Sequence, residues 1–135
     1  MVTWYAKDGV ESTAFYPANA SSPLATLSDA DLTALFRYSK HRHNLTVAFT
    51  PFLDPMCNDP KRCSAAEMFN WRGTLCTAFN ESQYEEFFSH YTPLIVRYAK
   101  LAQASGAVDE YFISHELMTC VNRRTHLPLR VCVHR

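Results

Sequence analysis

A carboxylate placed just past an apolar run is where this sequence first suggests chemistry. In Asp109–Cys120 the apolar residues Tyr111, Phe112 and Ile113 are followed by Ser114, His115 and Glu116. A short apolar run of this kind reads as a buried parallel strand. The residue beyond the carboxyl end of such a strand is where α/β folds carry their reactive groups. Glu116 there could hold or deliver a proton, and it could equally cap the strand or join an ion pair. Asp54 stands in a similar place, beyond the apolar run Leu45–Thr50, where it could bind hydroxyl groups or stabilise the turn before Pro55. Trp71 and Arg72 lie in a long loop from Met56 to about Phe79, and loops that long in compact domains are functional or disordered. Trp71 and Trp4 both offer flat apolar faces; Trp4 also suits a strand core.

The elements that position these residues follow from periodicity. Val2–Ala6 reads as a strand. A turn-rich segment runs through Pro17–Pro23. Ser28-Asp29-Ala30-Asp31 then signals a helix start, with Ser28 as cap and the aspartates near the positive end of the dipole. Leu32, Leu35 and Phe36 give that helix one apolar face. Arg37, Lys40, His41, Arg42 and His43 suit its negative end as a solvated terminus. Asn44 turns the chain into a second strand, which is expected to stop at Pro51.

A long helix is expected from Asn80 or Ser82 to Ser105, with Ser82 and Glu85 as capping box and Gly106 as terminator. Its apolar positions run from Tyr84 to Leu101, and Pro93 should kink or break it. The order is strand, helix, strand, helix, strand, which implies an α/β fold with three parallel strands and intervening helices. Three such strands leave both sheet edges unpaired. The expectation is therefore part of a larger fold over residues 1–120, followed by an irregular tail at 121–135.

Composition narrows the function classes. The 135 residues are 47% hydrophobic and 13% aromatic, with formal net charge zero, which suits one packed domain. Without a basic excess, nucleic acid is not an expected partner. No apolar run reaches the roughly 18 residues of a membrane span. Five cysteines (Cys57, Cys63, Cys76, Cys120 and Cys132) and the sequons at Asn19, Asn44 and Asn80 point outside the cytosol. Sequons carry weight only in a translocated chain. The start of the chain does not read as a leader, so secretion would need one upstream.

Several segments together resemble a known family. They are Val2-Thr3-Trp4-Tyr5, the Leu27–Lys40 helix, Val47-Ala48-Phe49-Thr50-Pro51-Phe52-Leu53-Asp54-Pro55, Trp71-Arg72-Gly73 with the Tyr84–Ala99 pattern, and Ile113-Ser114-His115-Glu116-Leu117. In order and spacing they resemble the (β/α)8 TIM barrels of glycoside hydrolase family 113 and its relatives, which include β-mannanases. The resemblance covers about residues 1–120 and implies barrel strands two to four.

It further implies that Glu116 is the general acid/base of a retaining glycosidase acting on a β-linked polysaccharide such as mannan. The chemistry needs a carboxyl group with a raised pKa to protonate the leaving oxygen and then deprotonate water. A second carboxylate about 5–5.5 Å away would be the nucleophile. In the family it comes from a later strand, absent from this chain, so the chain alone would be an inactive fragment. Trp71, Arg72, Asp54, His115 and Trp4 become candidates for sugar binding. The family has Gly and a small or amide residue where this chain has Ser114-His115. No cofactor is implied. The alternative is a non-catalytic carbohydrate-binding remnant or truncated pseudoenzyme using Trp71 and Asp54.

On that barrel, Cys57 with Cys63 and Cys76 with Cys120 make the preferred disulfides, although four cysteines allow three pairings. Zinc held by these thiols with His115 or His126 is the rival, without a CxxC pair to support it.

Overall fold

The computed structural model describes residues 2–6, 10, 12–17, 25–55, 72–114, 117 and 120. Their arrangement is mixed α/β, with two α-helices and small sheets. Strand β1 is Val2–Ala6 and β2 is Phe15–Pro17. Helix α1 is Asp29–Arg37, followed by a π-helical turn at Tyr38–Arg42. Strands β3 (Ala48–Phe49) and β4 (Pro51–Asp54) come next, then a 3-10 turn at Arg72–Thr74. Helix α2 is Glu81–Ser105 and β5 is Glu110–Tyr111.

The parallel pairing expected from the strand–helix alternation is present. β1 runs parallel to β4, with Val2 opposite Pro51 and Tyr5 opposite Asp54. β3 runs parallel to β5, with Ala48 opposite Glu110 and Phe49 opposite Tyr111. Each connection passes through a helix, as parallel strands require. Among the described residues these strands form one three-stranded and one two-stranded sheet, and neither closes into a barrel.

Local expectations are corrected first at the second strand and in the N-terminal loop. The second strand does not stop at Pro51; it changes partner there. Pro51 has no N–H to give to a ladder, so it suits the first residue of a strand, and pairing passes from β5 to β1 at this point. The loop expected between the first strand and α1 also contributes a strand, since β2, just ahead of the turn-rich Pro17–Pro23, folds back antiparallel on β1 with Tyr16 opposite Tyr5. That covers one side of β1 and reduces its exposed edge.

The helix boundaries follow from capping. The Ser28 hydroxyl accepts from the Asp31 N–H and starts α1. Asn80, with Gln83, makes the capping box of α2, in place of the expected Ser82–Glu85 pair. The Asn80 carboxamide accepts the Gln83 N–H at 3.0 Å, and the Gln83 side chain accepts the Asn80 N–H at 3.0 Å. Gly106 ends the helix at φ 67°, a left-handed conformation that glycine adopts without a Cβ clash. Helix α2 continues through Pro93 unbroken. Pro93 and Ser89 both lie on its exposed face, so the carbonyl that loses its donor is on the solvent side.

One face of α2 is buried along its length by Tyr84, Phe87, Tyr91, Leu94, Tyr98, Ala102 and Ser105. These positions recur at three and four residues and serve two apolar clusters. One joins α1 and the C-terminal half of α2 to β3 and β5, through Leu32, Phe36, Phe49, Tyr98 and Tyr111. The other gathers Leu53, Leu75, Phe79, Phe87, Tyr91 and Leu117 around the N-terminal half of α2. Trp4, Phe15 and Ile95 pack against both and make the two halves one interior. Leu35, expected on the buried face of α1, is 45% exposed, because α1 meets the core mainly through Leu32 and Phe36.

Candidate functional site

The parallel strands bring their carboxyl ends to a common side. β3 and β4 are consecutive parts of one chain direction, so β1, β4 and β5 all point the same way. Asp54 is the last residue of β4, half-buried, and pairs in register with Tyr5 near the end of β1. The chain leaving β5 emerges on the same side.

That exit from β5 is held at three points. The Tyr91 hydroxyl donates to the Ile113 carbonyl at 2.6 Å. Leu117 is buried in the second cluster. Cys120 is joined to Cys76 by a disulfide, with both cysteines buried. The Cys76–Cys120 pairing preferred from the sequence is thus present. Cys76 sits in left-handed backbone at φ 66°, which costs a residue with a Cβ roughly 1–2 kcal/mol. The disulfide and the Tyr84 hydroxyl, which donates to the Cys76 carbonyl at 2.7 Å, fix it there.

Three of the expected site residues, Glu116, His115 and Trp71, lie outside the described residues. So do Cys57 and Cys63. Arg72 opens the 3-10 turn that precedes Leu75 and Cys76, which places its backbone ahead of α2. Trp4 is more closely defined. Its indole Nε1 donates to the Tyr98 hydroxyl at 2.7 Å, and the Arg97 guanidinium lies 6.0 Å from its ring centroid. Arg97 also faces the Tyr98 ring at 5.3 Å and pairs with Asp29 at 2.8 Å. The Trp4 polar atom is therefore committed to a tie between β1 and α2.

The buried phenols show how strongly this interior disfavours charge. Burial pushes the Tyr91 and Tyr111 hydroxyls well above the usual tyrosine range, and a neighbouring tyrosine adds to the effect in each case. Tyr111 donates to the Ile95 carbonyl at 2.8 Å. Burial also raises Tyr98, with Asp29 adding to it; the Trp4 hydrogen bond and Arg97 oppose the rise. These hydroxyls were missed by sequence reasoning, because each tyrosine fell in a run read only as apolar.

Among the described residues no group of three or more His, Cys, Asp or Glu side chains gathers as a metal site. The disulfide also leaves neither Cys76 nor Cys120 as a thiolate for zinc. No helix among the described residues is long and apolar enough to cross a membrane.

These features define a mixed α/β protein built on parallel strand–helix–strand units. Comparison with models of known protein families, with curated proteins and with solved structures returns no match.

Proposed function

We propose that this chain belongs to the machinery of a retaining glycoside hydrolase acting on a β-linked polysaccharide such as mannan, with Glu116 as general acid/base. The observation that supports this most is the parallel register of Tyr5 with Asp54, together with β5 running the same way. It sets an acidic residue at the carboxyl end of one strand and sends the chain toward Glu116 from the same end of another. Strand ends of this kind are where barrel enzymes collect their catalytic groups.

In this reading Glu116 protonates the glycosidic oxygen as the bond breaks, then takes a proton from water as the glycosyl intermediate is hydrolysed. Asp54 hydrogen-bonds sugar hydroxyls beside it, and Trp71, Arg72 and His115 contribute further contacts to the glycan. The nucleophile, about 5–5.5 Å from Glu116 in a retaining pair, comes from a part of the enzyme outside residues 1–120. Held tyrosine hydroxyls and a disulfide around the exit of β5 favour such a role, since an acid/base must be fixed to act.

The test is to titrate the chain with β-mannan oligosaccharides and assay release of reducing ends, beside E116Q and D54A. The expected result is saturable binding, weakened by D54A, with any hydrolysis abolished by E116Q. Hydrolysis that survives E116Q overturns the assigned role of Glu116. Absence of any binding overturns the polysaccharide reading. Binding without turnover is the outcome expected of a chain whose nucleophile is supplied from outside residues 1–120.

A further inference from the structure

We propose that Asn44 is an N-glycosylation site and that this protein carries a glycan on the turn between the π-helical segment and β3. The inference is independent of the glycosidase reading and rests on three observations in different parts of the molecule.

The first is accessibility. Residues 41–46 are all exposed, the longest unbroken exposed run among the described residues, and it contains the whole sequon Asn44-Leu45-Thr46. Asn44 has φ 51°, so the chain reverses at the asparagine itself and presents it at a turn. Its carboxamide makes no hydrogen bond among the described residues. A branched, heavily hydrated group needs such a place, because any neighbour buried beneath it would lose packing.

The second is the contrast with another sequon. Asn80-Glu81-Ser82 is also exposed, but the Asn80 carboxamide oxygen accepts both the Gln83 N–H at 3.0 Å and the Ser82 hydroxyl at 2.7 Å. That side chain starts helix α2, whereas the Asn44 carboxamide makes no such cap among the described residues. Leu45, the middle residue of the Asn44 sequon, is itself 54% exposed.

The third is the compartment. Cys76 and Cys120 are joined across 44 residues, and disulfides form and persist where the surroundings are oxidising. In eukaryotic cells the compartment that makes such bonds also transfers glycans. The co-substrate is an oligosaccharide linked to a lipid diphosphate. The Asn44 Nδ2 attacks the anomeric carbon, the bond from that carbon to the diphosphate oxygen breaks, and Nδ2 gives up one proton. The lipid diphosphate leaves with the electron pair, and no oxidation is involved.

The test is to direct the full chain through the secretory pathway of cultured animal cells with a cleavable leader. The purified product is then digested with peptide N-glycosidase in heavy-oxygen water and mapped by mass spectrometry. The expected result is heavy-oxygen aspartate at position 44, and one fewer glycan on the gel for both N44Q and T46A. T46A keeps asparagine in the left-handed turn, so it reports the sequon even if N44Q folds poorly. Secreted chain with its disulfide formed and Asn44 unmodified overturns the proposal. Secreted chain with Cys76 and Cys120 as free thiols overturns it too, since the compartment argument then fails.

Discussion

Trp4 and Tyr98, 94 residues apart, are joined by a 2.7 Å hydrogen bond from the indole N–H to the phenol oxygen. This bond ties the first parallel strand to the longest helix at the seam between the two apolar clusters. Replacing Tyr98 with Phe keeps the ring and leaves a partly buried N–H unpaired. The expected loss is about 1–3 kcal/mol. In urea unfolding, W4F, Y98F and the double variant should show a coupling of roughly 0.5–1.5 kcal/mol. Strictly additive losses would mean that the two side chains act independently.

Asp109 organises the entry to β5. Its carboxylate accepts Lys40 Nζ at 2.6 and 2.8 Å and the Val47 N–H at 2.9 Å. Its own N–H donates back to the Val47 carbonyl at 2.9 Å. The ion pair is partly exposed and contributes about 0–1 kcal/mol, whereas the lost partner of Val47 matters more. D109A should therefore lower stability by about 1–2 kcal/mol, and D109N, which keeps an acceptor oxygen, by less. Equal losses in thermal melts would place the effect in the charge rather than in the Val47 bond.

The Cys76–Cys120 disulfide closes a 44-residue separation, for which chain entropy predicts about 4 kcal/mol of stabilisation. C76A/C120A should melt well below the parent under non-reducing conditions. Because position 76 has φ 66°, glycine suits its backbone better than alanine. C76G/C120A should recover about 1 kcal/mol over C76A/C120A. An alanine pair as stable as the glycine pair would show that the backbone at 76 relaxes once the bond is gone.

Alkaline pH should unfold the protein cooperatively. Tyr91 and Tyr111 have folded-state pKa values raised above the unfolded value of about 10, mainly by burial. The folded state thus keeps protons that the unfolded chain releases, so stability falls as pH rises above that value. Their contribution is complete below about pH 10 and declines by roughly 1.4 kcal/mol per pH unit for each tyrosine above it. Ultraviolet titration of phenolate absorbance, followed beside circular dichroism, should show a late set of tyrosines ionising together with unfolding. Phenolate signals for Tyr91 and Tyr111 well before loss of structure would contradict the burial argument.

Much of the framework was legible in the chain because it depends on local pattern. The cap at Ser28, the stop at Gly106 and the Tyr84–Leu101 stripe follow from neighbours within a turn or two. The parallel order of strands follows from their alternation with helices. Pro51 misled because a missing N–H marks both the end of one pairing and the start of another. Gln83 was passed over as the capping-box partner because Ser82–Glu85 fits the same motif shifted by two residues. For the candidate site, Asp54 is legible only as a carboxylate just past the second apolar run; that it ends β4 in register with Tyr5 depends on how distant strands meet.

The sequence by itself determined where helices begin and end, which faces are apolar, and that strands alternate with helices, since these are set by period and by backbone geometry. Only the tertiary structure decided that Cys76 meets Cys120, that Trp4 reaches Tyr98, and that pairing changes partner at Pro51. Contacts across 44 or 94 residues depend on how the elements pack in space, and no local period encodes that.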